Sequence, residues 1–264
     1  MTVASDVSFE QSRPGGPLDF PTLEMLLIRT SDSQMRSYSS FRMPVLKELI
    51  LTFNIARVPM IRGLATVLAS CKMLERLTLE INDGDYQPAP YPDINIPSLR
   101  CFEVNLWNHT KLQTGAILKQ FRAPNLRKFS IYIRTPCSIP PDGVFDNLNF
   151  GESVQSFEFT YPYFLESSPF SVPFRLIARQ LPNISKLTIC CHRTPFTKQL
   201  RECRMPTLLH LQVLWESAEY MELDEDDEPL EIIRDKFVDD VFSFLLDRKR
   251  HSVRQGGGYI VCSS

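Results

Sequence analysis

Bulky apolar residues recur along this chain at positions 1, 4, 7 and 9 of an eleven-residue window, and the window occurs eight times. The first copy runs Phe20, Leu23, Leu26, Ile28, and the second Met43, Leu46, Leu49, Leu51. Then come Cys71, Leu74, Leu77, Leu79, followed by Ile96, Leu99, Phe102, Val104 and Ala123, Leu126, Phe129, Ile131. A weaker sixth copy is Gly151, Val154, Phe157, Phe159. The last two are Leu181, Ile184, Leu187, Ile189 and Met205, Leu208, Leu211, Val213. Positions 7 and 9 alternate with period two, so they share one face of a predicted strand. Positions 1 and 4 fall in the turn leading into it. Proline often stands at position 2, as at Pro21, Pro44, Pro97, Pro124, Pro182 and Pro206. The start of a strand is where its missing N–H costs least.

Successive windows lie about 23 to 30 residues apart, the period of leucine-rich repeats. The connections differ in kind. Helices are predicted over Pro59 to Ser70, Lys111 to Phe121 and Pro173 to Leu181, after the second, fourth and sixth strands; the first and third carry apolar residues on one helical face. Ser31 to Arg42, Asp83 to Asn95 and Thr135 to Phe150 are rich in Ser, Pro, Asn and Asp and read as loops. The larger unit is therefore a double repeat of two strands and one helix. The expected fold is an α/β leucine-rich-repeat solenoid, curved, with about eight parallel strands and helices mainly at alternate connections.

The repeat domain is expected over residues 20–250. Its last part, 229–250, reads as a capping helix: Pro229 suits a first helical position, Asp226, Asp227 and Glu228 complement the positive end of the dipole, and Leu230, Ile233, Phe237, Val241 and Phe244 form a stripe. Residues 1–19, with Pro14-Gly15-Gly16-Pro17 and no periodicity, read as disordered, and 251–264 as a loose tail. The first window would then present an open strand edge, so a further N-terminal segment is expected to cover it.

Composition changes this picture little. The chain has 264 residues, 43% hydrophobic and 23% charged, with a net charge of -2, which gives no drive toward nucleic acid or an anionic membrane. No signal peptide and no apolar run of membrane-spanning length is visible. Seven cysteines occur without CxxC pairs, and Cys71, Cys101 and Cys190 lie within the windows. Packed thiols in a reducing compartment follow, so the cytoplasm or nucleus is expected.

The residues flanking positions 7 and 9 should line the open face of the sheet. Those with recognition chemistry are Arg29, Thr52, Arg76, Glu80, Glu103, Asn105, Lys128, Tyr132, Glu158, Lys186 and His210. Extended concave surfaces of this kind hold protein partners, and Tyr132 is the strongest single anchor because tyrosine is enriched at binding hot spots. The bland alternative is a set of solvated side chains on an open sheet.

No catalytic, cofactor or metal site is expected. Cys190, Cys191, His192, Cys203 and His210 match no zinc spacing, and Cys190 and Cys191 should point to opposite faces. The acidic run Glu222 to Glu228 lacks the spacing and glycine of a calcium loop. Gly256 to Gly258 is followed by no Lys-Ser/Thr and is no phosphate loop. Trp107 and Trp215, just past strands, are expected to pack beneath loops.

Cys71-Lys-Met-Leu74-Glu-Arg-Leu77-Thr-Leu79 resembles the cysteine-started repeats of F-box leucine-rich-repeat proteins. Ile96-Pro-Ser-Leu-Arg-Cys-Phe-Glu-Val and Ala123-Pro-Asn-Leu-Arg-Lys-Phe-Ser-Ile are similar to strands of the fungal (basidiomycete) F-box-like group. The resemblance covers about residues 20–250. It implies the substrate-recognition part of a Skp–cullin–F-box ubiquitin ligase, with the substrate protein held by the repeats. No F-box helix is visible before the first window, so the Skp adaptor is expected as a partner only if an F-box is restored. The alternative is a repeat scaffold or signalling protein with no ligase role.

Overall fold

The computed structural model describes residues 2–5, 18–30, 41–53, 58–81, 92–107, 111–133, 145, 148–161, 174–191, 205 and 207–215. The eight windows each give one six-residue strand starting at position 6. They are Met25–Thr30 (β3), Glu48–Phe53 (β5), Arg76–Ile81 (β6), Cys101–Leu106 (β8), Lys128–Ile133 (β10), Ser156–Tyr161 (β11), Lys186–Cys191 (β12) and His210–Trp215 (β13). They lie side by side in chain order, each parallel to its neighbours, in one sheet of an α/β fold.

A ninth strand, Thr2–Ser5 (β1), pairs parallel with β3 in the register Thr2↔Met25 to Ser5↔Ile28. Leu18–Asp19 (β2) pairs with Phe41–Arg42 (β4), and Ile94–Asn95 (β7) with Phe121–Arg122 (β9). Residues 1–19, read as disordered, thus contribute two strands. The edge expected to stand open is paired along four residues by this chain itself. Neither segment is long enough to show periodicity in sequence.

Among the described residues the α-helices are Val58–Ser70 (α1), Lys111–Leu118 (α2) and Phe174–Gln180 (α3), after the second, fourth and sixth window strands. Their buried residues follow the apolar spacing that predicted them: Ile61, Leu64, Val67 and Leu68 in α1, Ile117 and Leu118 in α2, Phe174 and Ile177 in α3. No helix among the described residues is long and apolar enough to cross a membrane. The expected helix 229–250 and tail 251–264 lie outside the described residues.

Two backbone patterns fix the register. In all eight windows the N–H at position 4 donates to the carbonyl at position 1, at 3.1 to 3.4 Å. This closes a β-turn, and proline at position 2 is the second residue of that turn, where its fixed φ is already correct. Turn geometry, more than tolerance at a strand start, accounts for the recurrent prolines. The carbonyl at position 5 then accepts from two successive N–H groups of the next window, at 2.8 to 3.0 Å. Seven carbonyls do this: Glu24, Lys47, Glu75, Arg100, Arg127, Gln155 and Ser185.

A third ladder runs through side chains at position 3, reaching carbonyls of the preceding window. Ser98 Oγ donates to Leu74 O at 2.8 Å, Asn125 Nδ2 to Pro97 O at 2.8 Å, and Ser153 Oγ to Ala123 O at 3.2 Å. Asn183 Nδ2 donates to Glu152 O at 2.6 Å and Thr207 Oγ1 to Pro182 O at 3.0 Å. The sequence signal for it, a Ser, Thr or Asn at position 3, is present in six windows and would have been readable.

The core is one continuous cluster built chiefly from window positions 1, 4, 7 and 9 together with the helix faces. Its centre is aromatic. Phe102, Phe129 and Phe157 occupy position 7 of three successive strands in direct register. Phe121, Phe145, Phe150 and Phe159 complete the group, with ring centroids 4.8 to 6.2 Å apart. Cys71 at position 1 is buried, its thiol bonded to Val67 O at 3.3 Å, and burial pushes its pKa up against the Ser70 hydroxyl. It is a packed thiol, as its place in the window predicts.

Candidate functional site

The parallel register aligns the flanking positions into three rows on one sheet face. Position 6 gives Met25, Glu48, Arg76, Cys101, Lys128, Ser156, Lys186 and His210. Position 8 gives Leu27, Ile50, Thr78, Glu103, Ser130, Glu158, Thr188 and Gln212. Position 10 gives Arg29, Thr52, Glu80, Asn105, Tyr132, Thr160, Cys190 and Leu214. All eleven candidate residues fall in these rows. Glu80, Glu103, Asn105, Lys128, Tyr132 and Glu158 come together at the centre. Arg29 and Thr52 lie toward one end and Lys186 and His210 toward the other, with Arg76 between.

The charged groups are partly satisfied by one another. Lys128 Nζ is 3.0 Å from Glu158 Oε2, and Arg76 is a looser 3.7 Å from Glu48. Such exposed pairs add little stability and leave the surface hydrated. Thr52 Oγ1 donates to Glu80 Oε2 at 2.7 Å, and Asn105 Nδ2 donates to Glu103 Oε1 at 3.0 Å. The Tyr132 phenol is half-buried. Burial first, then its hydrogen bond to the Glu158 carboxylate, hold its pKa well above the ordinary tyrosine value.

Position alone predicts exposure for the whole face, and that expectation fails at four places. Asn105, Ser130, Thr188 and Cys190 are buried on the outward rows. They are short side chains set beside longer ones; Ser130, for example, lies between Glu103 and Glu158. A strand pattern read one residue at a time carries no information about cross-strand neighbours, so this pattern was not visible in it.

The raised Tyr132 pKa gives a testable pH effect. An unfolded tyrosine ionises near about pH 10. Below that, both states hold the proton and the full contribution to stability is present. Above it, the unfolded chain releases the proton while folded Tyr132 keeps it, so the contribution is lost as pH rises. Tyr132→Phe is expected to remove a late phenolate step from an alkaline absorbance titration and to flatten the loss of stability above pH ~10. Superimposable titrations of the two proteins would show that Tyr132 ionises freely.

Of the cysteine–histidine group set aside as a zinc site, Cys190 and His210 are described, and they stand apart on the sheet. His210 pairs with Lys186 and Cys190 with Leu214, four residues along the strand, or roughly 13 Å apart. Cys191's side chain, His192 and Cys203 lie outside the described residues, as do the runs 222–228 and 256–258 and the Trp215 side chain. Among the described residues no group of three or more His, Cys, Asp and Glu is placed to hold a metal ion. Trp107, expected to pack beneath a loop, is instead 42% exposed just past β8, and its backbone N–H donates to Ile81 O at 2.8 Å.

A concavity lies at the turn edge rather than on the face. It is an open hollow of about 610 Å³ lined by Asp19, Pro21, Arg42, Met43, Pro44, Ser70 and Lys72. Asp19 and Arg42 come from the short β2–β4 ladder, which the sequence does not announce, Ser70 from the end of α1, and the rest from the turns of the first three windows.

No protein-family model matches this chain, and a search of the curated proteins finds no match to it.

Proposed function

We propose that the chain is a curved leucine-rich-repeat solenoid acting as a protein-recognition module without catalytic chemistry. Its partner lies across the three rows of the sheet face, with Tyr132 as central anchor. The observation that carries this reading is the register itself. Eight windows bring twenty-four outward residues into three aligned rows, a long surface of mixed charge with Tyr132 near its middle. Strands stacked about 4.8 Å apart, with bulkier helices at alternate connections, favour curvature that makes such a face concave. Repeat arrays use that shape to hold other proteins.

More finely, the module is the substrate-recognition part of an F-box-like ubiquitin-ligase adaptor, working in the cytoplasm or nucleus. Support for this step is the resemblance of the windows beginning at Cys71, Ile96 and Ala123. Affinity capture by the native chain and by a Tyr132→Ala, Lys186→Glu double variant tests both levels. Proteins retained by the native chain and lost from the variant are the expected result. The Skp adaptor among proteins held independently of the face, on a chain with an F-box restored, supports the ligase role. Face-dependent capture with no adaptor in either form overturns that role and leaves a repeat scaffold. Equal capture by native chain and variant overturns the recognition reading.

A further inference from the structure

We infer that the centre of the face binds an arginine side chain of the partner, held by Glu80, Glu103 and the carboxamide oxygen of Asn105. This rests on the recognition reading above and gives it a chemical specificity. Asn105 is 5% exposed, and its Oδ1 is a buried acceptor without a hydrogen-bond partner. Turning the amide over does not relieve this. Nδ2 donates to Glu103 Oε1 at 3.0 Å, and the flipped group would set oxygen against carboxylate. The unmet need at this position is therefore for a donor.

The neighbours supply none. Glu80 and Tyr132 are its register partners on the two adjacent strands. Glu80 is acceptor-only, and the Tyr132 phenol is engaged with Glu158. Of the face's cations, Arg76 is paired with Glu48 and Lys128 with Glu158, while Arg29 on β3 and Lys186 on β12 each stand three strands away from Asn105. Glu80 and Glu103 carry no ion-pair partner among the described residues. They accept from the neutral Thr52 and Asn105 groups.

The centre is thus two carboxylates and one carboxamide oxygen, all acceptors, beside a tyrosine ring. A guanidinium matches it in several ways: it is cationic, planar, has five fixed donors and can bond more than one oxygen at once. It also stacks on an aromatic face, which the half-buried Tyr132 ring offers. An ammonium brings the same charge without the planar fork. Access follows from the side chains involved. Glu80 and Glu103 are half-buried with flexible stems; Glu80 stands in register beside Asn105 and Glu103 two residues before it on the same strand, so both can turn outward to meet a cation that reaches the Asn105 oxygen.

The test uses the full chain, labelled with nitrogen-15, and three acetylated tripeptide amides: Gly-Arg-Gly, its lysine counterpart and its uncharged citrulline counterpart. The arginine peptide is expected to shift the Asn105 side-chain amide resonance saturably, with a Kd on the order of 1 mM. The lysine peptide should bind more weakly and the citrulline peptide not at all. Glu80→Gln and Glu103→Gln should each weaken arginine binding about tenfold, the loss of one charge-assisted hydrogen bond. Asn105→Leu, followed through the backbone amides of Glu80 and Glu103, should abolish the interaction with little change in the thermal midpoint, since it removes an unsatisfied buried acceptor together with a donor to the half-exposed Glu103. No saturable shift, equal binding of citrulline, or indifference to both glutamine variants overturns the inference. If that happens while the Tyr132→Ala, Lys186→Glu variant still loses its partners, the recognition reading stands without the arginine. If capture is indifferent too, both fall.

Discussion

Phe129→Ala is expected to lower the unfolding free energy by about 3 to 5 kcal/mol, the largest effect of any single truncation in the sheet core. Phe129 is fully buried and has ring neighbours on several elements. Phe102 on β8 lies at 5.7 Å, Phe157 on β11 at 5.6 Å, and Phe150 edge-on at 5.0 Å. Removing the ring loses its own transfer free energy and the edge-to-face contacts, and it leaves a cavity. The surroundings have little freedom to close that cavity. β10 is held between β8 and β11 by ladders on both sides, and the shared carbonyls of Arg100 and Arg127 fix where the strands begin. Leucine at the same site should be far better tolerated, because position 7 is leucine in five of the eight windows. Denaturant unfolding of the native chain and both variants measures this. A loss below about 1 kcal/mol for the alanine variant would mean that the aromatic centre repacks freely.

Gly151→Ala comes next, with an expected loss of about 3 kcal/mol. Glycine looked like the weak point of the sixth window, since position 1 elsewhere is Phe, Met, Cys, Ile, Ala or Leu. The structure gives a steric reason for it. A β-carbon at Gly151 would fall well inside contact distance of the Gln180 carbonyl oxygen, at the C-terminal end of α3. That obstacle is backbone, and it is tied in place. The Leu181 N–H that follows it donates to Ile177 O at 2.8 Å, and the Gln180 side chain accepts from the Leu148 N–H at 3.1 Å. Relief therefore requires moving either the helix end or the turn. Ala123 occupies the equivalent place one window earlier without penalty, so the effect belongs to α3 and not to the turn type. A thermal midpoint lowered by about 6 to 12 °C is expected for a chain of this size. An unchanged midpoint would show that α3 yields to a methyl group at little cost.

Both effects lie in features whose outline was visible in sequence and whose reason was not. The windows located every long strand after β1, and the period-two step put the outward residues in the correct rows. The helix after the second window was legible because Ile61, Leu64, Val67 and Leu68 repeat at helical spacing. Pairing of Thr2–Ser5 was not legible, because four residues form no pattern and their partner supplies the order. Nor was the burial of Asn105, since an outward polar residue reads as solvated unless its neighbours across the sheet are known. The proline at position 2 was noticed and attributed to the strand, whereas the position 4 to position 1 hydrogen bond places it in a turn. The reading of the face as a docking surface came from its residue types alone, and the register turned those types into neighbours with distances.

The shared carbonyl at position 5 bears on how a surface like this can change over generations. Register is set by main-chain groups that every residue except proline carries. An outward residue can therefore be exchanged without disturbing where its neighbours stand, and the face is free to drift toward new partners. One residue inserted between the turn and the strand has the opposite effect. It would break two hydrogen bonds at once and turn the whole following strand over, inside to outside. Variation in length is thereby steered into the connections, and variation in chemistry into the rows.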